Sequence, residues 1–440
     1  MEWYWVFAFL LGMLLFLMAV GVPVAISFMT TNVIGWLYFN NWREEAILQV
    51  IDNSPHLITQ FVLGPVPMFV LMGALFFHTG LAVRVFDALD VIFGRIPGRL
   101  SYLTVAGGAV FSTLTGSSMA NCAMLGSLML PEMKRRGYDW RMSMGPILGT
   151  GGLAILIPPS GLAVLLASIA GIDVGKLLIA GLLPGLLLAV LYALLITVQL
   201  AINPRAAPAY DVKPASVKQK IRLVAVNIAP MSVVVFAVVG LILLGIATPT
   251  ESAAFGVLAV LVLALVFRVL TLSAIRISLI ETVRVGGMVF LIIMSATVFS
   301  QLLAFSGATS GMISWVTGYQ ASTLTILAVM FLVLVLLGMF MDPASIMLIV
   351  VPVFFPLAQA LGFDLIWYGV FVMVTFEMAG ITPPFGLLLY VLLGIAPEGT
   401  KLQQVSIAAF PYVLCATLLC FLLVVFPEIA LFLPGIMTNR

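Results

Sequence analysis

The sequence predicts an all-α polytopic membrane protein made of two inverted-topology repeats, each carrying one re-entrant helical hairpin and one broken helix. Three observations lead to that expectation. Of 440 residues, 63% are hydrophobic and only 8% charged, with a mean hydropathy of +1.25. Basic residues concentrate in alternate loops. Residues 116–176 match 341–401 at a constant shift of 225 positions, without a gap.

Composition sets the first bound. Soluble domains are near half apolar and a quarter charged, so a water-soluble enzyme is excluded. Backbone in lipid must satisfy its own polar groups, which leaves a helical bundle or a closed barrel. Long apolar runs without alternation reject the barrel. A net charge of +2, with no basic run longer than Lys134-Arg135-Arg136, argues against nucleic acid as a partner. Cys122, Cys415 and Cys420 stand in apolar runs without metal-ligand spacing. His56 and His78 are isolated and take no catalytic role. Met1 to Leu17 lacks a basic n-region and a small-residue cleavage site, so it reads as a first span.

Hydrophobic runs fall near 3–20, 24–39, 57–82, 101–131, 142–170, 177–200, 223–246, 253–270, 286–305, 323–358, 367–395 and 405–433. Two have the wrong shape for simple spans. The first hairpin, 101–133, breaks at Thr115-Gly116-Ser117-Ser118, with apolar flanks of about a dozen residues, about half a span. The second, 323–358, breaks at Asp342-Pro343. Half-length helices around a polar break are tolerated only where protein or a water-filled cavity covers the backbone. With both runs returning to their starting side and the N-terminus outside, sixteen of the nineteen basic residues face the cytoplasm, leaving Arg43, Lys176 and Arg440 outside. That is the positive-inside pattern, and making either hairpin a full span scatters it.

The repeat then divides the chain. Pro158-Pro159-Ser-Gly161-Leu162 falls on Pro383-Pro384-Phe-Gly386-Leu387, and Thr150, Ala154 and Lys176 fall on Thr375, Ala379 and Lys401. Residues 1–202 form the first repeat, with scaffold helices over 3–82, the hairpin 101–133 and a broken helix 142–170. Residues 203–222 form a cytoplasmic linker. Residues 223–440 form the second repeat, with scaffold helices 223–270, the hairpin 323–358 and a broken helix 367–395. Inverted repeats with broken helices place a transport site at the repeat interface near the membrane midplane.

Candidate site residues follow from the breaks. Hydroxyls at Ser112, Thr113, Ser117 and Ser118, and the carboxamide of Asn121, can ligate a cation or bond a polar substrate; close packing of small residues is the alternative. Asp342 is a carboxylate inside an apolar run, a costly placement that marks a site, although it can also cap the second half-helix. Glu377 is the other carboxylate at membrane depth. Beyond it, Thr382-Pro383-Pro384 cannot sustain a helix and releases carbonyls that, with a hydroxyl, suit a hard cation such as Na⁺. The matching break at Pro158-Pro159 implies a second cation site. Glu251, in Thr248-Pro249-Thr250-Glu251, reads as a helix cap or a contact with a neighbouring subunit.

These motifs carry a resemblance. Gly21-Val-Pro23-Val-Ala, Pro67-Met-Phe-Val-Leu-Met-Gly73, Thr115-Gly116-Ser117-Ser118, Ile157-Pro158-Pro159-Ser160, Thr248-Pro249-Thr250-Glu251 and Gly380-Ile381-Thr382-Pro383-Pro384 occur in the order found in TRAP transporters. Over nearly its whole length the chain resembles their large (M) permease subunit. The resemblance implies an elevator-type secondary transporter, like others of the ion-transporter superfamily, in the bacterial inner membrane. It implies Na⁺ symport, with two or more Na⁺ sites, and uptake of organic acids such as C4-dicarboxylates, sugar acids or sialic acid. It also implies three kinds of partner: a small (Q) permease subunit, a periplasmic substrate-binding (P) protein, and membrane lipid. Mapped onto this chain, one Na⁺ site involves Ser112, Thr113, Ile157 and Pro159, and the other Gly338, Ala379 and Thr382. Substrate would sit near Ser117, Ser118, Asn121 and Asp342. The family often has glycine where Ala154 and Ala379 stand. A self-sufficient Na⁺/carboxylate symporter of the wider superfamily is the alternative. An intramembrane enzyme is disfavoured, since no His or Lys stands at depth beside the serines.

Overall fold

The computed structural model describes residues 2–43, 64–94, 96–115, 118–209, 216–319 and 321–437, so His56, Gly116 and Ser117 lie outside the described residues. The described chain is helical, without strands. Its first half holds α1 (Trp3–Ala19), α2 (Val24–Phe39), α3 (Pro65–His78), α4 (Leu81–Phe93), α5 (Arg99–Thr115), α6 (Ser118–Arg135), α7 (Trp140–Gly151), α8 (Leu153–Leu156), α9 (Gly161–Ala170) and α10 (Val174–Ile202). The second holds α11 (Val217–Leu243), α12 (Pro249–Val266), α13 (Leu272–Phe305), α14 (Ala308–Gly318), α15 (Thr323–Phe340), α16 (Pro343–Ala360), α17 (Leu365–Gly380), α18 (Leu387–Ile395), α19 (Leu402–Val425) and α20 (Glu428–Ile436).

Seven of these helices, α10, α11, α12, α13, α15, α16 and α19, are long and apolar enough to cross a membrane. An eighth results if α7–α8 and α9, bent by 46°, count as one broken span. The protein is therefore a multi-pass membrane protein. Some limits differ from those the hydrophobic runs suggest. α15 and α16 are 18 residues each, about 27 Å long, so these arms exceed half-helices. The cause is local: Asp342 caps α16 directly after the break, so little chain is lost between the arms. α11 begins at Val217, inside the segment expected to be linker, where Ser216 and Gln219 form a capping box. α13 runs back to Leu272, ahead of its apolar stretch, and carries Arg276, Glu281 and Arg284 on its first half.

Positions 225 apart share local structure. Gly137 and Gly362 have φ of +74° and +81°, a left-handed conformation that favours glycine. Asp139 and Asp364 follow them and cap α7 and α17. Thr150 and Thr375 each donate their hydroxyl to the carbonyl four residues back, at 2.6 and 2.8 Å. Pro158–Pro159 and Pro383–Pro384 are both cis.

Packing gathers the helices into two groups. In one, α2, α3, α12 and α13 pack together. Asn32 donates to the Ser295 carbonyl at 2.8 Å, and Phe28 meets Phe299 edge-on. Gly256 lets α12 approach so closely that a Cβ there would lie 2.5 Å from Met72 Sδ. In the other group, α7 packs on α5, α6 and α19, and α17 packs on α15 and α19. Here Tyr412 lies on a glycine face, since a Cβ at Gly145 or Gly149 would come within 2.5 or 2.3 Å of its ring. α5 and α6 fold back on each other: Asn121 reaches the Gly108 carbonyl, and the Tyr138 hydroxyl, just beyond the end of α6, accepts from the Leu100 N–H.

Candidate functional site

Each Pro-Pro pair interrupts a helix; the first break is enclosed, whereas at the second Pro384 and Phe385 are exposed. α8 ends at Ile157 in extended conformation, and Ser160 caps α9 by accepting from the Ala163 N–H at 3.2 Å. Ile157, Pro158, Pro159 and Ser160 are all buried. In the second break, the Ala379 carbonyl accepts from the Thr382 N–H and the Thr382 carbonyl from the Gly386 N–H, both at 3.0 Å. Thr382 Oγ1 donates to the Met378 carbonyl at 2.6 Å, and its lone pairs remain available to a ligand. Gly338, on the last turn of α15, supplies the close approach: a Cβ there would sit 2.4 Å from Ala379 Cβ. Gly338, Ala379 and Thr382 therefore come together. Of the first expected cation set, Ile157 and Pro159 lie in the first break, and the side chains of Ser112 and Thr113 on α5 fall outside the described ones.

The two broken helices meet at Glu377. This side chain is 4% exposed, and its Oε1 accepts from Ser118 Oγ at 2.6 Å. Ser118 opens α6, so the carboxylate faces a helix N-terminus, where partial positive charge favours it. Room for Glu377 comes from Gly152, the position 225 residues earlier, where an added Cβ would lie 3.1 Å from Glu377 Cβ and Oε2. Ser118, Glu377, Gly338, Met341, Pro343 and Gly380 border a cavity of about 60 Å³, room for a few waters or a partly hydrated small cation. Among the described residues, no three or more His, Cys, Asp or Glu side chains converge on a metal position. The side-chain oxygens on its border are the Glu377 carboxylate and the Ser118 hydroxyl, ligand types that suit a hard cation, and the rest of the lining is mostly apolar, with Met119, Leu162, Phe376, Leu387 and Leu388.

Beside it lies a second cavity of about 370 Å³, walled by the start of α6 (Met119, Ala120), the start of α16 (Asp342, Pro343, Ala344), α9, α3 and α13. Asp342 lines this space while capping α16, with Oδ2 accepting from the Ser345 N–H at 3.1 Å and Oδ1 from the Ser345 hydroxyl. Of the other expected substrate residues, Ser117 lies outside the described ones, and Ser118 and Asn121 do not line this cavity. Ser118 turns to Glu377, and Asn121 is buried with its amide on the Thr150 carbonyl at 3.0 Å, bracing α6 against α7. His78 and Glu281, on this wall and 3.0 Å apart, were not marked by the sequence pattern. Glu251 caps α12 in a reciprocal box with Thr248.

Helix capping by Asp342 can be separated from the expected role of its charge. Asparagine caps a helix about as well as aspartate, so Asp342→Asn should change stability by no more than a few tenths of a kcal/mol. If the charge serves the cavity, uptake by Asp342→Asn should fall about tenfold at unchanged protein level. Wild-type uptake would confine Asp342 to capping.

Comparison with known proteins adds the following. Residues 11–429 match the family model described as "Tripartite ATP-independent periplasmic transporter, DctM component". The chain is 34% identical over 392 residues to the C4-dicarboxylate TRAP transporter large permease protein DctM of Pseudomonas aeruginosa, covering 88% of each chain. It is 29% identical to the ectoine TRAP transporter large permease protein TeaC of Halomonas elongata, covering 95% of this chain and 96% of that one. Among solved structures, the Alcanivorax borkumensis YdaH transporter superposes with a TM-score of 0.65, over 89% of this chain and 90% of that one. At 15% sequence identity, that likeness concerns fold alone.

Proposed function

The chain belongs to the tripartite ATP-independent periplasmic (TRAP) transporter family as its large permease component, and from that premise we propose that it imports organic acids across the inner membrane by Na⁺ symport. A periplasmic substrate-binding protein delivers the substrate, and a small permease subunit completes the membrane unit. The two halves act as inverted repeats. The hairpins α5–α6 and α15–α16 and the broken helices α7–α9 and α17–α18 form one mobile body, which moves past α1–α3, α11 and α12 in an elevator motion.

The observation that supports this reading best is the junction of Ser118, Glu377 and Gly338. There a hairpin start, a broken helix and a second hairpin enclose a small cavity, bordered by the Glu377 carboxylate and the Ser118 hydroxyl, next to the larger one. Cation occupancy there ties the hairpins to the broken helix, so the substrate cavity takes its shape with the ion bound. C4-dicarboxylates, sugar acids and zwitterionic carboxylates such as ectoine are within the proposed substrate range.

The test is uptake into proteoliposomes holding both permease subunits, with the binding protein added outside. An inward Na⁺ gradient should drive uptake at least about tenfold faster than an equal K⁺ gradient with pH clamped. Equal rates would end the Na⁺ reading. Undiminished uptake without the binding protein would favour the self-sufficient symporter.

A further inference from the structure

The larger cavity has charged groups that a cation site at Glu377 leaves unused. His78, the last residue of α3, places Nε2 3.0 Å from Oε2 of Glu281 on α13, and both side chains line the cavity. An ionised carboxylate can only accept, so Nε2 carries the hydrogen of this bond and Nδ1 is left for another partner. The other titratable group on the wall is Asp342, at the head of α16. The faces contributed by α6 (Met119, Ala120) and α9 (Gly161, Leu162, Leu165) are uncharged. Arg284, one turn beyond Glu281, is exposed and off this wall. Among the described lining residues, His78 is thus the one side chain that can carry positive charge, against two carboxylates. The remaining surface is mostly aliphatic and aromatic, including Val70, Phe77, Val285 and Ile292.

We propose that His78, held by Glu281, reads the substrate's carboxylate, and that the cavity selects monocarboxylates with an apolar body over dicarboxylates. This rests on the organic-acid import proposed above and narrows it. Once Nδ1 is protonated, His78 donates there to the incoming carboxylate while Glu281 keeps Nε2, so one anion enters with one proton taken from water. A dianion would bring a second negative charge toward Asp342 and Glu281, with no further cation on the described wall to meet it. The apolar body of a monocarboxylate would lie on the aliphatic wall, the usual arrangement of small-ligand sites.

Two consequences are measurable. Histidine changes charge between pH 5 and 8, whereas carboxylates stay ionised over that range. Binding should therefore tighten as pH falls from 8 to 6. His78→Gln keeps hydrogen bonding to Glu281 but cannot take the charge, so it should weaken binding about tenfold to a hundredfold and remove the pH dependence.

The experiment is equilibrium binding to the purified two-subunit permease in nanodiscs with Na⁺ present. The panel is mandelate and phenylpyruvate as apolar monocarboxylates, succinate and malate as dicarboxylates, and N-acetylneuraminate and ectoine as polar ligands. Tightest binding by an apolar monocarboxylate, strengthened at low pH and flattened by His78→Gln, is the expected result. A dicarboxylate or polar ligand binding tightest would overturn the proposal, as would wild-type affinity and pH profile in His78→Gln; either leaves organic-acid import standing. If no carboxylate in the panel binds, and none is taken up with Na⁺ and the binding protein, the import reading fails and this inference with it.

Discussion

Glu377→Gln is expected to lower Na⁺-driven uptake at least about tenfold and to leave the residual uptake indifferent to Na⁺, while the permease still assembles. Glutamine keeps the length of the side chain and a carbonyl oxygen able to accept from Ser118, 2.6 Å away in the wild type. It removes the one carboxylate among the described residues bordering the small cavity between Gly338, Met341 and Gly380. A Na⁺ ion taken from water into such a place needs a compensating charge, because carbonyl dipoles alone recover only part of its hydration. Glu377→Ala should behave differently. It leaves the Ser118 hydroxyl buried without its acceptor, at a cost of about 1–3 kcal/mol, and opens space beside Gly152. That variant should lose thermal stability as well as transport. Uptake rates across a Na⁺ titration, with melting temperatures of the same samples, separate the two. Wild-type Na⁺ dependence in Glu377→Gln would leave the carboxylate as a hydrogen-bond acceptor only.

Punctuation was legible in the sequence, and meetings were not. The hairpin read over 101–133 is Arg99–Thr115 plus Ser118–Arg135, and the breaks at Pro158-Pro159 and Pro383-Pro384 fall where the prolines place them. Proline, the glycines at 137 and 362, and the capping aspartates act through their own backbone, so their effect shows without the fold. Helix limits set by side-chain caps were harder to read. The amphipathic α4 and the charged first half of α13 carry no long apolar run, and hydropathy passes over them. Hardest were the contacts across the repeat. Glu377 was visible as a carboxylate at depth, but its meeting with Ser118 spans 259 residues of chain and needs glycine at 152 to make room. His78 read as an isolated histidine at the end of an apolar run, and Glu281, 203 residues away, was not singled out. Asn121 shows the opposite case. A carboxamide near a break reads as a ligand, yet it lies on the Thr150 carbonyl and holds α6 to α7. The 225-residue repeat could have paired Glu377 with Gly152, since large and small residues at equivalent positions are what two crossing helices need.

A bridge between the two helix groups should stop transport, and one inside the proposed mobile body should not. Val70 on α3 and Leu165 on α9 line the same cavity, and their helices pack together, but the elevator reading puts α3 in the fixed part and α9 in the moving part. With Cys122, Cys415 and Cys420 replaced, a bis-maleimide joining V70C to L165C should arrest uptake almost completely. The unreacted double variant should retain it. Gly126 on α6 and Leu392 on α18 supply the control, since a Cβ at Gly126 would lie 3.1 Å from Leu392 Cδ1 and both helices belong to the moving body. A disulfide formed by G126C and L392C should leave the rate within about a factor of two. The contrast follows from close packing: interdigitated side chains within one body have no relative motion to lose, whereas sliding past α3 changes every contact along that face. Uptake that persists across the α3–α9 bridge would rule out the rigid-body motion and leave opening of the hairpins alone as the route. Arrest by the α6–α18 disulfide would place a hinge inside the body, between the first hairpin and the second broken helix.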